Sequence, residues 1–218
     1  MIPSSNYSIK SFCGGYDNNF CYLITCSHSG AQVLIDASID IKKIKSNISN
    51  KLIAVLITHS HGDHIQYLNQ YINFYPELTI LGHENSSKKI YKQNFKPLKN
   101  NSNVKIGELI FKSIYTPGHY FDSICYQLNP VLFTGDTLFV GRTGRVISKE
   151  SNIEDLYESV YNKILKMPLN TRIFPGHNYG KKDTITLENN IKISPLLQAK
   201  NFKDFQLKME HYELSRNS

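Results

Sequence analysis

The segment Thr58-His59-Ser60-His61-Gly62-Asp63-His64 sets four side chains with metal-donating lone pairs within six residues. Neutral imidazole and carboxylate both donate to zinc, iron or manganese. His59 and His61 are two apart, so an extended backbone points them to the same side. Gly62 permits a sharp turn, and Asp63 and His64 then point back from the first turn of a helix. Taken singly, Asp63 reads equally as a helix N-cap and each histidine as a surface loop residue. Four donors at this spacing favour a metal site.

Three later residues repeat one local arrangement. His119 lies in Thr116-Pro117-Gly118-His119, Asp136 in Phe133-Thr134-Gly135-Asp136-Thr137, and His177 in Phe174-Pro175-Gly176-His177-Asn178-Tyr179. Each follows a predicted strand end and has a glycine before it, where the missing Cβ allows close backbone approach to a metal centre. Each alone is an ordinary turn residue. The seven donors together exceed what one tetrahedral zinc takes. They suit two metals about 3.5–4 Å apart that share a water and lower its pKa towards neutrality. Asp136, with two carboxylate oxygens, is the natural bridge. Of the other histidines, His28 sits in a turn, His211 in the polar tail, and His83 follows a strand as a candidate for the pocket rim.

Rigid sheets position such groups at strand-end loops, and the chain reads accordingly. Phe20 to Thr25 and Gln32 to Ile35 are short apolar strands with Ser29-Gly30 as the turn between them. A short helix follows Asp40 and ends near Asn47. Leu52 to Ile57 is a continuous apolar run, suited to a strand buried on both faces, and it leads directly into the histidine-rich segment. The spacing of Ile65, Leu68, Ile72 and Tyr75 predicts a helix over Asp63 to Tyr75, stopped by Pro76. Leu78 to Leu81 is a strand, and 84–103 reads as a helix and a loose loop. Val104 to Tyr115 forms a hairpin that turns at Ile106-Gly107-Glu108-Leu109. Ser123 to Leu128 and Val131 to Thr134 are strands joined by Asn129-Pro130, and 135–150 is a loop rich in Gly and Arg. Ile153 to Leu165 is an amphipathic helix with Ser151 or Asn152 as N-cap. Arg172 to Phe174 is a last strand, and the tail from Thr184 is helical, broken at Pro195. Strands and helices interleave, hairpins included, so two mixed sheets packed together with helices outside fit best.

The 218 residues are 40% hydrophobic, which suits one domain over 1–218 with 180–218 as a short helical tail. The formal charge of +7 is scattered, largely in Lys pairs such as Lys42-Lys43, Lys88-Lys89 and Lys181-Lys182. No basic run or aromatic-rich motif marks a nucleic-acid partner. The scattered charge is a solvated surface, or else an attraction for an anionic small substrate. Four cysteines without a C-x-x-C pair read as free thiols of a reducing compartment. The opening residues lack a signal-peptide pattern, and no apolar run approaches the ~20 residues of a membrane span, so a cytoplasmic location without membrane association is expected.

The metal-donor pattern resembles the metallo-β-lactamase-fold superfamily over about Asp17 to Tyr179. That resemblance implies an αββα sandwich. Within the superfamily the chain is similar to glyoxalase II, the hydroxyacylglutathione hydrolases. The similar segments are Asp17-Asn18-Asn19-Phe20-Cys21-Tyr22-Leu23-Ile24, Phe133-Thr134-Gly135-Asp136-Thr137-Leu138-Phe139-Val140-Gly141 and Gly176-His177-Asn178-Tyr179. It implies one metal on His59, His61 and His119, a second on Asp63, His64 and His177, and Asp136 as the bridge. The implied cofactors are two divalent ions, zinc first, with iron or manganese as alternatives. A bridging hydroxide would attack the carbonyl of a small-molecule thioester such as a hydroxyacylglutathione, with Asp63 and Asp136 as the catalytic carboxylates.

The chain departs from glyoxalase II in two places. Only 41 residues follow His177, and Ser194-Pro195-Leu196-Leu197 resembles the tail of short single-domain hydrolases. In Gly141-Arg142-Thr143-Gly144-Arg145-Val146, Arg145 stands where that family has a Lys for the glutathione glycine carboxylate, and Ile147 stands where an aromatic residue is expected. Arg145 and Tyr179 are the expected substrate-binding residues; the alternative for Arg145 is an ordinary pairing with a nearby acid. The rival by resemblance is a persulfide dioxygenase with one iron on His59, His119 and Asp136. Gly144-Arg145 matches its pattern, and Val146-Ile147 does not. A lactonase or other ester hydrolase is a further alternative.

Overall fold

A computed structural model describes residues 6–49, 51–90 and 93–216. The alternation of its strands explains the layers. In β2 (Asn19–Cys26), which pairs antiparallel with β1 (Tyr7–Gly14), Phe20, Tyr22 and Ile24 face one hydrophobic cluster while Cys21 and Leu23 face another. The same division runs through β3 (Gln32–Ile35) and β4 (Leu52–Leu56), so both faces of the sheet are buried, as their unbroken apolar sequences require. With β5 (Thr79–His83) and β6 (Phe95–Leu98) these form a six-stranded sheet in sequence order, antiparallel at first and parallel from β3 onward.

A second six-stranded sheet contains β7 (Asn103–Ile106), β8 (Leu109–Tyr115), β9 (Ile124–Leu128) and β10 (Val131–Gly135). A two-stranded ribbon, β11 (Leu138–Phe139) and β12 (Arg142–Thr143), interrupts the sequence before β13 (Arg172–Pro175) and β14 (Ile185–Thr186) complete that sheet in the order β14-β13-β10-β9-β8-β7. Phe111, Tyr126, Phe133 and Phe174 of this sheet meet Phe20, Tyr22, Val33 and Leu56 of the first in the central layer. Outside the first sheet lie α1 (Ile41–Ile44), α2 (Gly62–Ile65) and α3 (Leu68–Phe74). Outside the second lie α4 (Ile153–Tyr157), α5 (Leu187–Ile193) and α6 (Phe202–Arg216), with Leu156, Leu187, Phe205 and Met209 buried against Leu132 and Ile173. The fold is the αββα sandwich of two mixed sheets.

Several elements differ from the sequence reading, each for a physical reason. Strand β1 was not among the expected strands; it is an edge strand whose residues are all at least partly exposed, so its apolar alternation is diluted by Ser8, Lys10 and Ser11. Strand β6 lies where a helix and loop were expected. It too is an edge, where Pro97 is tolerated. The rest of that expected helix falls partly on residues 91–92, outside the described residues, and among the described residues of the segment only a short 3₁₀ turn at Glu84–Lys88 is helical. The helix expected over Asp63 to Tyr75 divides between α2 and α3. The His64 carbonyl accepts the Ala37 N–H at 2.9 Å, and the Tyr67 N–H donates to the Ala37 carbonyl at 2.9 Å, so β3's continuation takes over groups a single helix would have used internally. The expected 153–165 helix begins at the Asn152 cap, whose side chain accepts from the Glu154 and Asp155 N–H groups, but it widens into a π turn over Glu158–Lys163 and closes as 3₁₀.

The two sheets are tied together at one edge. Phe20 N–H donates to the Gly176 carbonyl at 2.7 Å, Ile124 N–H to the Thr58 carbonyl at 2.8 Å, and the Tyr22 and Tyr126 hydroxyls to the carbonyls of Pro175 and Ile57 at 2.6 and 2.7 Å. These bonds tie the end of β13 to β2 and the end of β4 to β9, each across to the opposite sheet. Phe133 sits at the middle of the central layer, fully buried, with ring centroids 5.4 Å from Tyr22 and 5.3 Å from Phe174. Replacing it with Ala is expected to lower unfolding free energy by about 3–5 kcal/mol in denaturant titrations, because the rigid sheets cannot close over the void. A loss under about 1 kcal/mol would contradict this placement of the core.

Candidate metal centre

All seven donors expected from the sequence converge at the tied edge. His59 and His61 lie on the extended segment after β4, Asp63 and His64 on α2, His119 beyond the end of β8, Asp136 directly after β10 and His177 two residues past the end of β13. They form three overlapping groups whose ligand atoms lie within 4.8 Å of one another: His59, His61 and His119; His59, His64 and Asp136; Asp63, His64 and His177. His59 Nε2 is 2.8 Å from His61 Nδ1, which is 3.1 Å from His119 Nε2. His64 Nε2 and His177 Nε2 are 3.2 Å apart, and Asp63 Oδ2 lies 3.3 Å from His177 Nε2. Asp136 stands between the sets, its Oδ2 3.3 Å from His177 Nε2 and 3.6 Å from His119 Nε2.

Hydrogen bonds on the far side of each ring select the tautomer. His64 Nδ1 donates to Asp36 Oδ2 at 2.8 Å, His119 Nδ1 to the Arg145 carbonyl at 2.9 Å, and His177 Nδ1 to the Asp17 carbonyl at 2.8 Å. His59 Nδ1 lies 3.2 Å from the Thr58 hydroxyl, which itself donates to Asp36 Oδ2 at 2.8 Å. These four rings therefore present Nε2 lone pairs inward, towards other lone pairs and carboxylate oxygens. Asp136 Oδ1 is buried without a well-formed hydrogen bond, although His64 Nε2 is 3.2 Å away. Acceptors facing acceptors at these distances call for cations, so the residues present fit a pair of metal ions.

The electrostatics of the metal-free chain show the same crowding. Burial and the neighbouring His119 push His61 down to about 4, and burial with His64 lowers His59. Burial opposes a charge on His177, yet Asp136 and Asp63 outweigh it and raise it to about 10. His64 is likewise raised, by Asp136 and Asp36 against the cost of burial. Burial would raise both Asp63 and Asp136; the hydrogen bond from His177 and the charge of His64 on Asp63, and the charges of His64 and His177 on Asp136, hold them well below the usual carboxylate range. A metal must displace the proton His177 carries at neutral pH, so metal binding releases protons and weakens as pH falls.

The glycines before the donors act in two different ways. A Cβ on Gly176 would stand 2.2 Å from Asp136 Oδ1 and 2.8 Å from His64 Cε1, so here the missing side chain does admit the backbone to the centre. At Gly118, with φ +133°, a Cβ would meet the Leu156 backbone at 2.3 Å; this glycine admits α4 and not the metal site. Tyr179 stacks on the His177 ring, centroids 4.9 Å apart, and its hydroxyl is bound by the Asp17 carboxylate. Arg145 approaches the centre only with its carbonyl. Its guanidinium turns to Glu213 of α6, with Nη2 at 2.6 Å and Nε at 2.9 Å from Oε2. Ile147 is exposed, and His83 lies apart from the three groups, stacked on Tyr115.

Sequence reasoning named the donors and missed what orients them. Asp36 is buried, with φ +59°, at the end of β3; its carboxylate also accepts the Thr58 N–H at 2.8 Å. Asn19, fully buried, donates to Asp63 Oδ2 at 2.8 Å and lies 3.3 Å from His177 Nε2. Asn19 lay within the quoted Asp17-Asn18-Asn19 segment, and a polar residue opening a doubly buried strand was the available signal. Asp36 likewise follows the apolar run of β3 directly.

Comparisons with known proteins extend over most of the chain. The sequence profile of the family described as "Metallo-beta-lactamase superfamily" matches residues 14–177. The "Probable polyketide biosynthesis zinc-dependent hydrolase BaeB" of Bacillus velezensis is 29% identical, over 92% of this chain and 88% of that protein. The hydroxyacylglutathione hydrolase of Dictyostelium discoideum is 32% identical, over 84% of this chain and 68% of that protein. The crystal structure of ETHE1 from Myxococcus xanthus superposes with a TM-score of 0.83 at 26% identity, covering 94% of this chain and 91% of that one.

Since Asp36 orients two of the inward-facing imidazoles, Asp36→Ala is expected to weaken metal binding about 10–100-fold, measured by competition with a chelator. Thr58→Val, which removes the hydroxyl between Asp36 and His59 but leaves Asp36 on His64, should weaken it less. Equal affinity in the wild type and Asp36→Ala would contradict the assigned role.

Proposed function

Because the chain belongs to the metallo-β-lactamase superfamily, we propose that this metal-dependent hydrolase cleaves thioesters at a two-metal centre. One metal would be held by His59, His61 and His119, the other by Asp63, His64 and His177, with Asp136 shared. The observation that carries the reading is the donor arrangement, in which separate histidine-containing groups meet around one buried carboxylate. Two ions there would polarise the carbonyl and lower the pKa of water. Likeness to the hydroxyacylglutathione hydrolase of Dictyostelium points the substrate towards a thioester, and likeness to BaeB supports zinc.

The chain's own groups have distinct tasks in that reaction. Asp63 is the most exposed member of its donor group, with 24% of its side chain accessible against 0% for His64 and 3% for His177. Held ionised and anchored by Asn19, it would help hold a metal and orient the incoming water, whose proton leaves to solvent. Asp136 sits deeper and supplies fixed negative charge between the groups. Water adds to the acyl carbon, the carbon–sulfur bond breaks, and the thiolate departs with little need of a proton donor. Arg145 and Tyr179 are the proposed substrate contacts. Both are engaged internally, by Glu213 and Asp17, so binding of a glutathione carboxylate by Arg145 requires it to exchange Glu213 for the substrate.

A second reading is persulfide oxidation at one iron held by His59, His119 and Asp136. It draws on the approach of His119 Nε2 to within 3.6 Å of Asp136 Oδ2. Parallel assays of the purified holoenzyme separate the two. Hydrolysis of lactoylglutathione without oxygen uptake on glutathione persulfide is the expected outcome, with kcat reduced on the order of 100-fold or more in Asp63→Asn, which removes a metal donor and the group that orients the water. Oxygen uptake without thioester hydrolysis would overturn the hydrolase reading.

A further inference from the structure

Helix α6 reaches the candidate centre through two consecutive residues. It is anchored beneath the second sheet by Phe205 and Met209, both buried, while Leu207 and Leu214 face outward. From that anchored frame the Tyr212 hydroxyl accepts from Arg142 Nη1 at 2.7 Å, and the Glu213 carboxylate takes Arg145 through Nε and Nη2. Both arginines lie on the segment that runs through β12, and neither is a donor in any of the three groups.

Each arginine leads to a different half of the centre. Arg142 Nη2 donates to the Tyr179 carbonyl at 2.7 Å, and its guanidinium lies 4.6 Å above the Tyr179 ring. That ring stacks on His177 with an interplanar angle of 5°, and its hydroxyl is bound by Asp17, the residue whose carbonyl fixes His177 Nδ1. Arg145 offers its carbonyl to His119 Nδ1 at 2.9 Å. The two paths run Tyr212–Arg142–Tyr179–His177 and Glu213–Arg145–His119, and they end in different donor groups.

We propose that α6 is a clamp on the metal centre, with Tyr212 and Glu213 as positioning residues that orient His177 and His119 through Arg142 and Arg145. The proposal rests on the reading that both donor groups hold metal. A histidine whose outer hydrogen-bond partner is fixed loses less orientational freedom when it takes a cation, so in the substrate-free protein, where Glu213 holds Arg145, the clamp acts on metal affinity. Fixing the arginines from a helix also couples the tail to a site assembled from distant strand ends.

The test is titration of metal-free protein with Co(II) against a chromophoric chelator, with the metal-free thermal midpoint recorded for each variant. Wild type should take two ions. Glu213→Gln is expected to weaken one of them about tenfold, and Tyr212→Phe the other, with the remaining ion little changed in each case. The charge-reversed pair Arg145→Glu with Glu213→Arg keeps the Arg145-position carbonyl and restores the ion pair, so it should recover affinity lost in Glu213→Gln. Leu214→Ala, on the exposed face of the same helix, should titrate as wild type. Wild-type affinity in both single variants would overturn the clamp, as would a loss in Glu213→Gln that the reversed pair does not recover. A wild type that binds no Co(II) would instead refute the two-metal reading, and the clamp with it.

Discussion

The buried carboxylate of Asp36 is the constraint on which the candidate centre depends. It accepts hydrogen bonds from the Thr58 N–H, the Thr58 hydroxyl and His64 Nδ1, and thereby sets the backbone at the start of the histidine-rich segment together with two of its rings. Its left-handed backbone, φ +59°, turns the side chain out of the β3 line towards β4. A non-glycine residue in that region costs of order 1–3 kcal/mol and persists where the surroundings over-determine it. Three hydrogen bonds to one carboxylate supply that determination.

Around this point the site is an assembly of strand ends from both sheets. His59 and His61 follow a strand of the first sheet; His119, Asp136 and His177 follow strands of the second. No single hairpin brings them together. The hydrogen bonds Phe20 to Gly176 and Ile124 to Thr58, and the tyrosine hydroxyls of Tyr22 and Tyr126, hold the two sheet edges in register exactly where donors from both must meet. The central layer of Phe20, Tyr22, Phe111, Tyr126, Phe133 and Phe174 gives those bonds a rigid base. Packing, cross-sheet hydrogen bonds and donor geometry therefore form one structure, and a cation would add a further link between the sheets. Among the described residues no helix is long and apolar enough to cross a membrane.

The donors were legible in the sequence because their chemistry and strand-end positions repeat: an apolar run, a turn, then His or Asp. The αββα layering was legible from runs such as Leu52 to Ile57, which have no polar face to give to solvent. Edge strands β1 and β6 were not, since half-exposed strands carry polar residues and β6 contains Pro97. The division between α2 and α3 depends on Ala37, about thirty residues earlier in the chain, and no local periodicity encodes it. The same holds for the partner of Arg145: pairing with an acid was one of its two readings, but that the acid is Glu213, on a helix far along the chain, is not encoded locally.

The central claim is that these seven side chains form one centre for two ions. Anomalous diffraction from holoenzyme crystals, recorded at the absorption edge of the bound metal, tests it most directly. Two peaks about 3.5–4 Å apart are expected, one among His59, His61 and His119 and one among Asp63, His64 and His177, with Asp136 between them. A single peak at full occupancy would contradict it.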